Sequence, residues 1–174
     1  MRGEVLDVAR RLTLETGAVP SLNAIVAAAG VSKGGMTHHF PTRAALVAGL
    51  ARMALEEVDE EMSRAAIRGD ATRTWLRLSM PQAVERALMQ ALVVELRTED
   101  PVITVLLADA RDAVIRWERT IEAEVGDPVQ ARVIRLVGDA LVANAVAGIE
   151  SEPPSVDELQ AFLTRPLTSD ASHP

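Results

Sequence analysis

Asp-Pro occurs twice in the second half of the chain, at Asp100-Pro101 and Asp127-Pro128, and Gly126 stands just before the second pair. An aspartate followed by a proline is what a helix start favours. The carboxylate accepts from free N–H groups of the first turn, and the proline fills the first helical position, where a missing N–H costs nothing. A glycine before the pair closes the preceding helix, because a C-cap uses the left-handed backbone that glycine tolerates. The same punctuation runs through the chain: Gly17, Ser21, Gly30, Ser32, Pro41-Thr42 and Gly69-Asp70. Between these marks apolar residues return at helical spacing, as Val5, Ala9 and Leu12 do, and no stretch alternates with period two. The sequence therefore predicts an all-α protein of eight to nine helices, with short loops favouring antiparallel neighbours.

The predicted helices follow from these stops. The first ends at Gly17, and Ser21 caps a second, LNAIVAAA, that ends at Gly30. Ser32 caps a third, with Val31 and Met36 at the two hydrophobic-staple positions. Pro41 and Thr42 end it and cap a long fourth helix from Arg43 to about Arg68. Its run Glu56, Glu57, Asp59, Glu60, Glu61 reads as a solvated face. A segment with Trp75 follows, then a helix QAVERALMQALVVEL with Pro81 as its first residue, then helices over 101–125 and 128–149. Ser151 to Ser155 reads as a loop, VDELQAFL as a last short helix, and TSDASHP as a frayed tail.

Composition narrows the chemistry. Aromatic residues are only 2% of the 174, so the core must be built from aliphatic residues and methionine. The absence of cysteine excludes disulfides, thiolate metal sites and a cysteine nucleophile. No apolar run approaches the ~20 residues of a membrane span, and the N-terminal residues carry scattered charge rather than an apolar core, so a cytoplasmic placement with no membrane partner is expected. Net charge is −7, yet residues 1–50 hold five basic and three acidic groups, which leaves the remainder at −9. A small basic module on an acidic body is the pattern implied.

Residues Ser21 to Phe40 place two short helices around a tight turn, Ala29-Gly30-Val31, behind a supporting helix. That is a helix-turn-helix, which offers its second helix to the major groove. Ile25, Val26, Val31, Met36 and Phe40 can form one shared core, leaving Lys33, Gly34, Gly35, Thr37, His38 and His39 outward or at the helix start. Each glycine costs a helix interior about 1 kcal/mol against alanine, but in a first turn it lets backbone approach a phosphate or base edge. Lys33 adds positive charge, and Thr37, His38 and His39 one turn on can donate to phosphates or bases. A metal site at His38 and His39 is not expected, because adjacent helical positions diverge and the other histidine, His173, lies in the tail. No nucleophile elbow and no Glu-x-x-His pair is present, so neither enzyme activity nor a cofactor is expected.

The run GVSKGGMTHHFPTRAALV resembles the core of the TetR family of transcriptional regulators, whose usual form is Ala-Gly-Val-Ser-x-Gly-x-Leu-Tyr-x-His/Tyr-Phe followed by a Ser/Thr-Lys pair. The resemblance covers residues from about 3 to 50. It implies an N-terminal helix-turn-helix domain, 1–48, and a C-terminal helical domain, 49–174, that dimerises and binds a small effector. It assigns DNA contact to Ser21, Ser32, Lys33, Gly34, Gly35, Thr37, His38 and His39, and a phosphate grip to Arg43. Thr37 departs from the usual tyrosine, and Thr13 and Ala18 stand where aromatics are common.

In the C-terminal part, the helix 128–149 is apolar nearly all round and holds the small residues Gly138, Ala140, Ala143 and Ala147. It is expected in a two-fold interface of a homodimer, packed with 101–124 or 155–165, with burial inside one subunit as the alternative. Trp75, Met89 and Trp117 are candidate effector contacts, or plain core, and few charges interrupt these helices, so the effector is expected to be apolar or amphipathic. The reading that results is a ligand-responsive repressor of a double-stranded DNA operator. The alternative is a helical small-molecule-binding or protein-interaction module whose helix-turn-helix is structural.

Overall fold

The structure is a computed structural model that describes residues 1–149 and 152–165; among these the chain forms nine α-helices and no strand. Ser151 of the expected loop and the tail 168–174 lie outside the described residues. The helices are α1 (Arg2–Thr16), α2 (Leu22–Ala29), α3 (Lys33–His39), α4 (Arg43–Arg68), α5 (Ala71–Leu78), α6 (Ala83–Glu95), α7 (Pro101–Val125), α8 (Pro128–Ala147) and α9 (Val156–Leu163).

The caps act as their chemistry requires. Asp100 accepts from the Val102 N–H at 2.8 Å, and Asp127 accepts from Val129 and Gln130, both at 2.8 Å. Thr42 accepts from Ala45 at 3.0 Å and opens α4. Two boundaries differ from the sequence expectation. Pro81 is not the first residue of α6: it precedes the cap, because the Glu85 carboxylate accepts from the Gln82 N–H at 2.7 Å and fixes the first helical residue at Ala83, two residues later. α8 stops at Ala147, where Gly148 turns left-handed with φ 69°.

Two cores share α4. The first gathers α1, α2, α3 and the start of α4, and also takes in Leu88 and Leu92 of α6 with Ile103 and Leu106 of α7. It is therefore not confined to residues 1–48. The second lies at the far end of α4, where Met62 and Ala65 meet Trp75, Trp117, Ile121 and Ile134. Twenty-six residues of α4 span ~39 Å, so one rigid rod runs from the N-terminal helices to the second core.

The acidic run of α4 is more than a wet face. Glu57 pairs with Arg10 of α1 at 2.5 Å, Asp59 with Arg116 of α7 at 2.6 Å, and Glu61 with Arg77 of α5 at 3.2 Å. Asp59 also accepts from the Trp117 indole at 2.5 Å, giving that buried N–H the partner it requires. Sequence periodicity places the carboxylates on α4 but says nothing of the arginines brought to them by other helices.

Gly138 is spent within the subunit. A Cβ there would lie 2.2 Å from Trp75 Nε1 and 2.5 Å from Ser79 Oγ. The indole lies flush against α8 and donates to the Arg135 carbonyl at 3.3 Å, while its ring centroid sits 5.7 Å from that of Trp117. Both tryptophans are buried in the second core. Gly138→Ala must push Trp75 out of this position. We expect a loss of about 3 kcal/mol or more, at the upper end of overpacking costs, read as a fall in the urea midpoint together with a red-shifted tryptophan emission. An unchanged midpoint would contradict this packing.

Candidate nucleic-acid interface

α2 and α3 are held apart by a turn in which Gly30 takes φ 65°. That left-handed backbone is strained for any residue with a Cβ. Ser21 accepts from Ala24 N–H at 3.2 Å and Ser32 from Gly35 N–H at 3.1 Å. Each hydroxyl uses its oxygen as acceptor and keeps its proton to donate outward. Ile25, Met36 and Phe40 are fully buried, and Val26 and Val31 pack beside them, so the two helices share one core as the apolar spacing requires.

Phe40 fixes how α3 sits. It follows the last residue of α3, is 1% exposed, and lies against Gly49 in the second turn of α4. A Cβ on Gly49 would come 2.8 Å from the Phe40 ring and 3.0 Å from Leu6. The missing side chain thus lets the ring lie directly on the α4 backbone. Sequence reading passed over Gly49; its one visible signal was a glycine inside a long helix, where glycine costs about 1 kcal/mol unless packing demands it. Arg2 was passed over too. Its guanidinium lies over the Phe40 ring, 5.8 Å from the centroid, and so stands at the end of α3.

The outward side of α3 carries Lys33, Gly34, Thr37 and His38, all exposed, with Gly35 and His39 half-buried. The two glycines differ. A Cβ at Gly34 would meet nothing within 4 Å, whereas one at Gly35 would come 3.2 Å from Ser32 Oγ. Packing therefore bears on Gly35, whereas nothing within the described chain crowds Gly34. Thr37 donates its hydroxyl to the Lys33 carbonyl at 2.8 Å, so that proton is used inside the helix and the oxygen remains as an acceptor. The His38 and His39 rings meet edge to face with centroids 5.1 Å apart. Among the described residues no three His, Asp or Glu side chains gather as a metal-binding group.

The five cations of residues 1–50 fall into two sets. Arg10 pairs with Glu57, Arg11 with Glu15, and Arg43 with Glu95. Arg2 and Lys33 have no ion-pair partner among the described residues. Both flank α3, one at each end, so the uncompensated positive charge of this module lies along α3. Arg43, assigned to a phosphate by resemblance, is paired with Glu95 at the end of α6.

Elsewhere the structure offers an exposed apolar face and, among its clefts, one between α6 and α8. Val129, Val133, Leu136, Ala140, Ala143 and Ala147 follow one another along α8 in steps of four and three, and all are exposed. Val129 is 67%, Val133 45% and Leu136 51% accessible. Ile115 of the neighbouring α7 is exposed as well. Beside it, Glu118 holds Arg135 at 2.6 Å and Arg132 at 3.2 Å, and the Arg135 hydrogen bond keeps the Glu118 carboxyl below its usual range. A cleft of about 560 Å³ lies between α6 and α8, with Arg86, Gln90 and Asn144 among its polar walls and Met80, Pro81 and Leu141 among its apolar ones. Trp75 and Trp117 stack in the second core, away from this cleft, and Met89 is half-buried on α6 without lining it.

Among the described residues no helix is long and apolar enough to cross a membrane. No curated protein matches the chain. Residues 5–50 match the family model for bacterial regulatory proteins of the tetR family. Residues 69–168 match the tetracyclin repressor-like C-terminal domain, more than half of the chain. With the helix-turn-helix seated on α4 and an all-helical body behind it, the chain belongs to the TetR family of DNA-binding transcriptional regulators.

Proposed function

We propose that the protein is a homodimeric repressor that reads a palindromic operator with α3 and releases it when a small molecule binds the C-terminal body. The observation that carries the DNA reading is the pairing pattern of the N-terminal cations: of the five Lys and Arg side chains in residues 1–50, only Lys33 and Arg2 lack an ion-pair partner among the described residues, and both lie at the ends of α3. Lys33, Ser21 and Ser32 contact phosphates in this reading, and Gly34, His38 and His39 approach base edges. Gly34 opens onto empty space in the free protein, which suits a surface that must meet a groove.

The exposed seam of α8 supports the dimer. Apolar residues at alternating steps of four and three lie in one line along a helix, and that line stays on one side only if the partner is another helix. Seated on a two-fold axis with α7, it fixes the separation of the two α3 helices, and an operator with half-sites about one turn apart, ~34 Å, follows.

For the effector, the α6–α8 cleft is the better candidate than Trp75, Met89 and Trp117. Its mixed lining suits an amphipathic molecule of modest size. Such a ligand must bind the DNA-free arrangement more tightly than the DNA-bound one, and by linkage operator DNA must weaken it equally.

Selection from random duplexes should enrich one palindrome. On that duplex Lys33→Ala should bind about tenfold more weakly, with a salt slope shallower by ~0.9 per subunit. An operator affinity and slope equal to those of the unaltered protein would sink the Lys33 placement. Leu136→Asp should convert the dimer to monomer in sedimentation and abolish binding to the full palindrome at concentrations that saturate the parent. A Leu136→Asp protein that stays dimeric would move the interface off α8.

A further inference from the structure

Arg43 is the most fully engaged cation of the N-terminal module. Its Nε donates to Glu95 Oε2 at 3.0 Å and its Nη2 to Glu95 Oε1 at 2.5 Å. Nη1 donates to the Pro20 carbonyl at 3.1 Å, and Nη2 also to the Val19 carbonyl at 2.8 Å. Four of the five N–H groups a guanidinium possesses are thereby taken. The two-pronged face, the one that grips a carboxylate or a phosphate best, is filled by Glu95.

Arg43 is nonetheless placed for DNA. It is the first residue of α4, four residues past His39 at the end of α3, and its side chain is 44% accessible. With Glu95 in place it can offer a phosphate one N–H at most. Glu95 is the last residue of α6, and among the described ion pairs this is the one that joins residues 1–50 to α6. The same helix lines the α6–α8 cleft through Arg86 and Gln90, and Gln90 donates to the Val146 carbonyl of α8 at 3.0 Å. The Glu95 carboxyl is held below its usual range by its hydrogen bonds from Arg43, so it stays charged wherever the protein is folded at neutral pH.

We propose that Glu95 and an operator phosphate compete for the two-pronged face of Arg43, so that the end of α6 holds down DNA affinity and sets it by its distance from α4. A phosphate presents two oxygens at the spacing a carboxylate does, and both ligands cannot occupy one guanidinium edge. Any shift of α6 that presses Glu95 onto Arg43 removes a cation from the DNA surface; any shift that withdraws it supplies one. The inference rests on the operator reading above, which stands or falls on whether the unaltered protein enriches a duplex, before any variant is made.

The test is a double-mutant cycle on the selected operator. Glu95→Gln keeps size and loses charge. It should bind about three- to tenfold more tightly near 0.1 M salt, with the salt slope steeper by ~0.9 per subunit. In an Arg43→Gln background the same Glu95→Gln change should alter neither quantity. Equal or weaker binding by Glu95→Gln would overturn the proposal and make the pair a clamp that DNA leaves intact. Tightening that persists without Arg43 would overturn it as well, since it would then be a general effect of removing negative charge. Thermal melts establish that each variant is folded. Should Glu95→Gln not fold, the Arg43 Nε–H resonance of the unaltered protein decides: it should shift on adding operator, and an unmoved resonance overturns the competition.

Discussion

The contact of the Phe40 ring with the bare backbone of Gly49 is what the functional end of this molecule depends on. Phe40 ends α3 and Gly49 lies in the second turn of α4, with Leu6 of α1 closing the other side. A fully buried ring wedged between two helices has no free volume in which to swing, and packed interiors transmit displacement rather than absorb it. α3 therefore rides on α4. Because α4 runs on into the second core through Met62 and Ala65, the orientation of the recognition helix is tied to the packing of α5, α7 and α8.

Charge is arranged on the same plan. Arginines of α1, α5 and α7 are each bound by the acidic run of α4, which ties the helices around that rod. Such pairs on a surface add little stability singly, but they set which cations remain for a ligand. Of the cations in residues 1–50, Lys33 and Arg2 remain, at the ends of α3. Arg43 remains only as far as Glu95 allows. A chain of net charge −7 thus presents a small positive surface at one end, which is enough to orient it on a polyanion while the acidic body stays outward.

Much of this was legible in the residues because helix starts and stops are local. Ser21, Ser32, Thr42, Asp100 and Asp127 each bond to an N–H two or three residues on, so sequence alone places them. The exception at Pro81 arose from a competing local device, the Glu85 carboxylate on the Gln82 amide. The shared core of α2 and α3 followed from spacing for the same reason. Long-range pairings were not legible. Nothing near Arg43 in sequence announces Glu95, fifty-two residues away. Gly138 looked like a means of bringing two subunits together, and it instead receives Trp75 of its own chain. The rare tryptophans read from sequence as either cavity walls or core filling, and only the three-dimensional packing shows that the second core takes both. Only the exposure of Val129, Val133 and Leu136 separates the outward side of α8 from its buried side; its sequence is apolar on both.

The most direct test of the account is the operator affinity of Gly49→Ala, measured at a temperature where melting shows the variant folded. A single methyl at that point must drive the Phe40 ring and Leu6 away from α4, which tilts α3 without altering any residue on its outward side. The account predicts a loss of at least tenfold in operator affinity while the dimer persists. The parent's affinity, retained by a folded Gly49→Ala dimer, would show that α3 is not positioned by this contact and would contradict the coupling of α3 to α4.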